Sequence, residues 1–144
     1  MKLSLSKFFD IRFSEVDSMG VVWHGSYVAY LEDAREAFGR QYNMGYQRFA
    51  NEEIYAPIVD IQIKYKSPLR YGMHPEIEIV YVPSESARII FEYRIFHEGI
   101  LMATATTTQV FMDLNYNLVF YNPPFFEEWK KEWLSDEKKE FELG

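Results

Sequence analysis

Five stretches of this 144-residue chain alternate apolar with polar side chains, and two others repeat apolar residues at intervals of three and four. In residues 7–13, Phe9, Ile11 and Phe13 share one side against Asp10 and Arg12, the period of a half-buried strand. From Ser26, a suitable N-cap, the period lengthens: Tyr27, Tyr30, Leu31, Ala34, Phe38 and Tyr42 mark one helical face until Asn43-Met44-Gly45 stops it. A helix of roughly 17 residues spans about 25 Å, long enough to act as a spine for a sheet. Strand periods return at Ile61, Ile63 and Tyr65, ending at Ser67-Pro68, and again over 76–82. Two more follow: 88–96, with Ile89, Phe91, Tyr93 and Ile95 together, and 101–112, with Ala103 and Ala105 opposite Thr104, Thr106 and Thr108. One strand, one long helix and four strands in meander order predict an α+β fold, with a single antiparallel sheet of about five strands on one helix.

Asn122-Pro123-Pro124 opens a C-terminal helix, since proline is tolerated in a first helical turn, and Phe125, Trp129 and Trp133 give it an apolar stripe. The chain therefore reads as one domain over 1–121 with a helical tail, 122–144, packed on it; the stripe also suits a lid or a partner-binding helix. With 48% hydrophobic and 18% aromatic residues, a packed core is well supplied.

Charge narrows the function. The net charge is −7, and residues 127–144 hold seven acids and four bases of it. No basic stripe is present to neutralise phosphates, which excludes a nucleic-acid partner. The chain has no cysteine, hence no disulfide, thiolate chemistry or cysteine metal site. Ser4, Ser6 and Lys7 interrupt the apolar residues at the N-terminus, so neither a signal peptide nor a membrane span is expected, and the reading is a soluble, cytoplasmic protein. Serine-hydrolase elbows, zinc-protease motifs and nucleotide-binding glycine loops are absent. His24, His74 and His97 lack metal-ligand spacing, so no metal site is expected.

What remains is a carboxylate in a turn, Asp17, placed just before the long helix. On residue types alone it serves as a turn or capping residue. It also stands beside amides that a helix leaves unpaired at its positive end, which suits chemistry in which a carbonyl becomes an anion. Gly20 and Gly25 give the intervening loop freedom to fold back.

The run Asp17-x-x-Gly20-Val21-Val22-Trp23-His24-x-x-Tyr27-x-x-Tyr30-x-Glu32-x-Ala34-Arg35 resembles the signature of the 4-hydroxybenzoyl-CoA thioesterase family and the related short-chain acyl-CoA thioesterases of bacteria. Those are hotdog-fold enzymes, and outside the motif the likeness is one of element order, to about residue 112. The resemblance implies hydrolysis of acyl-CoA, with Asp17 as the catalytic carboxylate and the His24 backbone N–H polarising the thioester carbonyl; the neighbouring Gly25 N–H is a second candidate donor for the oxyanion. It also implies self-association as a dimer or tetramer, with each site built from two subunits, and no cofactor beyond the CoA of the substrate. A thioester suits a lone carboxylate, because its leaving thiolate belongs to a group with pKa about 8.5, judged from cysteine. The carboxylate can attack the carbonyl or take a proton from water, and the sequence does not choose.

Trp23 and Tyr27 flank the donor amide as candidate substrate contacts, although Tyr27 also lies on the apolar helix face. The His24 ring either orients water or fills space beside Trp23. Glu32 pairs with Arg35 or serves as an auxiliary carboxylate. CoA phosphates need cations, for which Lys64, Lys66, Arg70 and Arg88 are candidates, with Ser84 and Ser86 as hydroxyl donors. Two rival readings stay open: a hotdog enoyl-CoA hydratase or dehydratase, which needs a histidine with a carboxylate, and a non-catalytic acyl-CoA-binding module. Acyl preference and CoA versus carrier protein stay undetermined.

Overall fold

The computed structural model describes residues 2–143, with side chains described as far as Leu134. Its centre is helix α1, Tyr27–Tyr42, whose Tyr27, Tyr30, Leu31, Ala34, Phe38 and Gly39 are buried on the face marked by the three-four period. The helix stops at Asn43, in the left-handed conformation (φ 57°), with the Met44 N–H closing on the Gly39 carbonyl at 2.8 Å. A short helix, α2, Tyr46–Asn51, follows in the connection between α1 and the next strand.

Six antiparallel strands form the sheet: β1 (Ser4–Phe8), β2 (Ile58–Tyr65), β3 (Glu76–Val82), β4 (Arg88–His97), β5 (Ile100–Met112) and the two-residue β6 (Leu118–Val119). The spatial order is β1-β3-β4-β5-β2, with β6 on the end of β5. This corrects the plain meander. Strands β3, β4 and β5 follow one another, but the chain leaving α1 crosses to the far edge before laying down β2. The sheet curls around α1, which packs on β1 and β3, so the predicted single sheet around one helix is the observed architecture.

The first strand also lies earlier than the alternation suggests. Strand β1 pairs with β3 from Ser4↔Val80 to Phe8↔Glu76, after which Phe9 donates its N–H to Pro75 and the chain leaves the ladder. Ile11 is buried, but Phe13 is 76% exposed in a 3-10 turn, Phe13–Glu15, so the apolar period at 9, 11 and 13 records no strand. The edge strand β2, paired with β5 alone among the described residues, leaves Val59, Ile61 and Tyr65 exposed.

Helix α3, Pro124–Leu143, carries the tail. Within its described side chains Phe125, Phe126 and Trp129 are buried and Trp133 and Leu134 pack against the core, while the tail's side chains from 135 on lie outside the described residues. Trp129 stacks on Phe126 and meets Tyr81 edge-on at 5.1 Å.

Burial raises the pKa of several tyrosines. Tyr81 has a buried hydroxyl with no partner among the described residues, and Tyr93, whose hydroxyl shares a 2.7 Å bond with Thr107, is pushed up to about 12. An unfolded tyrosine ionises near pH 10, so above that pH the unfolded chain binds fewer protons than the folded one and stability falls as pH rises. Thermal unfolding followed across pH 9 to 11 is expected to show a declining midpoint; a constant midpoint would contradict these burials.

Candidate active site

The Asp17 segment is a tight hairpin. Val16 and Val22 form an antiparallel bridge, the Trp23 N–H donates to the Glu15 carbonyl (2.9 Å), and the Asp17 N–H donates to the Val21 carbonyl (2.8 Å). Gly20 takes φ +76° at the tip, a conformation suited to glycine. The second arm is sewn to the segment after β2: the Val22 N–H donates to Leu69, Val21 bridges Arg70, and the Tyr71 N–H donates to Gly20. Val16 and Val22 pack against the core and seat the hairpin on it, with Glu15 and Asp17 on either side of Val16 in the chain.

Asp17 is half-buried, and its Oδ1 accepts the N–H groups of Met19 (2.8 Å) and Val21 (3.2 Å). It is therefore a turn residue. Its second oxygen, Oδ2, has no hydrogen-bond partner among the described residues. One oxygen thus locks the carboxylate in the turn.

Immediately after the hairpin, His24–Ser26 form a 3-10 turn that leads into α1. The expected cap by Ser26 is not made. Ser26 is already in helical conformation, and its hydroxyl donates to the Glu15 carbonyl at 3.2 Å, so it ties the helix to the hairpin. Among the described residues neither the His24 nor the Gly25 N–H has an acceptor. The Tyr65 hydroxyl donates to the His24 carbonyl at 2.8 Å, which fixes the peptide on the side away from its donor.

Gly25 has a different use from the one its sequence position suggests. A Cβ at 25 would lie 2.1 Å from the Trp23 ring, so glycine lets the indole lie against the first turn, 4.9 Å from the His24 ring. Trp23 remains 55% exposed and forms one wall beside the two amides. Tyr27 is instead a core residue, buried edge-on to Tyr65 at 4.8 Å, and burial raises its pKa. Glu32 is paired with Arg35 at 2.9 Å.

The candidate cations do not form one cluster. Lys64 pairs with Thr104 and Arg88 with Val110, six residues apart along β5 or about 20 Å at roughly 3.3 Å per residue. Lys64, Lys66 and Arg70 lie at the hairpin end of the sheet. Arg88 and Ser86 lie at the opposite end, where the Ser86 hydroxyl is engaged by Ser84 at 2.7 Å and Lys130 donates to the Ser84 carbonyl. A groove of about 790 Å³ runs beside the later turns of α1, over Ile89, Phe91 and Gln109, and none of Asp17, Trp23, His24 or Gly25 lines it. Sequence reasoning passed over Glu15 and Tyr65, which hold the hairpin and the His24 peptide; both contacts join residues distant in sequence, and no local spacing announces them.

One antiparallel sheet wrapped around a central helix is the hotdog architecture, and the Asp17 hairpin and the 3-10 turn of His24–Ser26 meet at the head of that helix. Residues 11–134 match the thioesterase-like superfamily, and the chain belongs to it. Among relatives, the Bacillus subtilis protein YneP is 29% identical over 108 residues, covering 74% of this chain and 78% of that one. The acyl-CoA thioester hydrolase YbgC of Escherichia coli is 27% identical over 104 residues, covering 72% and 78%. The structure of a hypothetical protein from Aquifex aeolicus, AQ1494, superimposes with a TM-score of 0.78 at 26% identity, covering 87% of this chain and 98% of that one. No helix among the described residues is long and apolar enough to cross a membrane.

Proposed function

We propose that this protein hydrolyses acyl-CoA thioesters to the free acid and CoA, with Asp17 as the catalytic carboxylate and the His24 and Gly25 amides as the oxyanion hole. The observation that carries this reading is the pairing of a carboxylate held by two backbone N–H groups with two amides a short loop away, where neither its other oxygen nor either amide has a partner among the described residues. A carbonyl between them gains negative charge on oxygen as it is attacked, and prearranged donors in such holes are each worth about 100- to 1000-fold in rate. Oδ2 either adds to the carbonyl, expelling CoA thiolate and leaving an anhydride that water then opens, or takes the proton of a water that adds directly. Neither route needs a cofactor. The hydratase alternative lacks support, since the His24 imidazole has no hydrogen-bonded carboxylate among the described residues, and the histidine that does, His74 with Asp10 at 3.2 Å, is on the exposed surface.

The site works as an assembly in this reading. The unpaired edge of β2 with exposed Val59, Ile61 and Tyr65 suits a second copy. If Arg88 and Ser86 hold the nucleotide end of the substrate, they do so across that contact, since in one chain they stand at the far end of the sheet from Asp17. Thiol release measured over a panel of aliphatic and aromatic acyl-CoAs and acyl-carrier thioesters, on protein whose mass is determined by light scattering, tests the proposal. Turnover by an assembly larger than 17.2 kDa is the expected result. Tight acyl-CoA binding with no thiol release from any member of the panel overturns it in favour of a binding module.

A further inference from the structure

Glu15 joins the two halves of the site more completely than any residue in the motif. Its Oε1 accepts the Arg12 N–H at 2.7 Å and the Tyr30 hydroxyl at 3.0 Å. Its carbonyl accepts the Trp23 N–H at 2.9 Å and the Ser26 hydroxyl at 3.2 Å. The four donors come from the turn before the hairpin, the hairpin's second arm, the 3-10 turn that carries the two free amides, and the second turn of α1. Tyr30 is itself fixed, buried with its ring 4.5 Å from Phe9 and 6.0 Å from Tyr27. Glu15 thus sits on a rigid support two residues before Asp17, while its own carbonyl grips Trp23, the residue preceding His24.

The geometry points to Glu15 and Tyr30 as positioning residues that set the distance between the Asp17 carboxylate and the His24 and Gly25 amides. Their role is positional: Oε1 of Glu15 is occupied by the Arg12 N–H and the Tyr30 hydroxyl, and Tyr30 is buried beneath the hairpin. The inference rests on the hydrolase reading of the same site. A displacement of about 1 Å between groups that act together costs on the order of 100-fold in rate, so a strut joining their two carriers governs kcat far more than substrate affinity.

The test is a set of variants assayed for thiol release and for folding by circular dichroism. Tyr30→Phe keeps the buried ring and removes the donor; kcat is expected to fall by about 10-fold or more with KM within about twofold, at an unchanged circular-dichroism spectrum. Glu15→Ala is expected to match it, and Glu15→Gln, whose side-chain oxygen still accepts both bonds, to restore most of the lost rate. In an Asp17→Asn background Tyr30→Phe is expected to cost little more, because the distance it sets no longer matters; a general loosening of the fold lowers the rate by the same factor in both backgrounds. A full rate for folded Tyr30→Phe, or equal losses in the two backgrounds, overturns the positioning role while leaving hydrolysis intact. A wild-type protein that releases no thiol overturns the hydrolase reading, and this inference with it.

Discussion

Replacing Asp17 by asparagine is expected to lower kcat/KM for every hydrolysed acyl-CoA by at least about 100-fold, on the scale of a principal catalytic group. The substitution is informative because asparagine keeps a side-chain oxygen to accept the Met19 and Val21 N–H groups that now bond Oδ1. The hairpin is then preserved, Asn being well tolerated in such turns, while an amide NH2, without charge or basicity, replaces the free oxygen. Rate is lost and the fold is not. Asp17→Ala, by contrast, leaves both N–H groups without their acceptor and mixes a structural cost into the kinetics. Thiol release at the wild-type rate by Asp17→Asn would rule out both the nucleophile and the base.

The second large effect is on stability. Trp129 is 1% exposed, stacked on Phe126 and set against Tyr81, and its Nε1–H donates to the Tyr42 carbonyl at 2.6 Å. Tyr42 is the last residue of α1, where carbonyls lack partners within the helix, so the indole both fills the core and caps the central helix from the tail. Trp129→Ala is expected to cost about 3–5 kcal/mol, the range for emptying a buried aromatic site. For a chain of this size that lowers the melting temperature by roughly 6–20 °C. Trp129→Phe, which keeps most of the volume and loses the cap, is expected to fall well short of that. Unchanged melting of Trp129→Ala would mean that the tail does not pack on α1 as described.

The sequence made α1 and strands β3 to β5 legible because each is buried on one face over seven or more residues, long enough for its period to stand out. It misled at β1. The true strand, Ser4–Phe8, mixes serine and lysine with its apolar residues, while the coil after it alternates Phe9, Ile11 and Phe13 by chance and leaves Phe13 outside. Strand order was hidden for a different reason, since nothing local in residues 58–65 states that β2 crosses to the edge beside β5.

The motif located the hairpin and the first turn of the helix but not their chemistry of attachment. Ser26 has the residue type and place of an N-cap, yet a tertiary acceptor, the Glu15 carbonyl, takes its hydroxyl. Gly25 reads as a flexible joint and is instead the floor under Trp23. Arg88 and Lys64 are both basic residues near strand ends, and the ladder register alone reveals that the ends are opposite ones.

The spatial relation between the Asp17 carboxylate and the His24 and Gly25 amides carries the whole functional reading, and it is tested most directly by a crystal structure with an acyl-CoA analogue in which a methylene group replaces the thioester sulfur. The analogue's carbonyl oxygen is predicted to lie about 2.7–3.1 Å from the His24 nitrogen, with Asp17 Oδ2 facing the carbonyl carbon or a water beside it. An analogue bound with its carbonyl elsewhere, or with Asp17 facing away from it, contradicts the account.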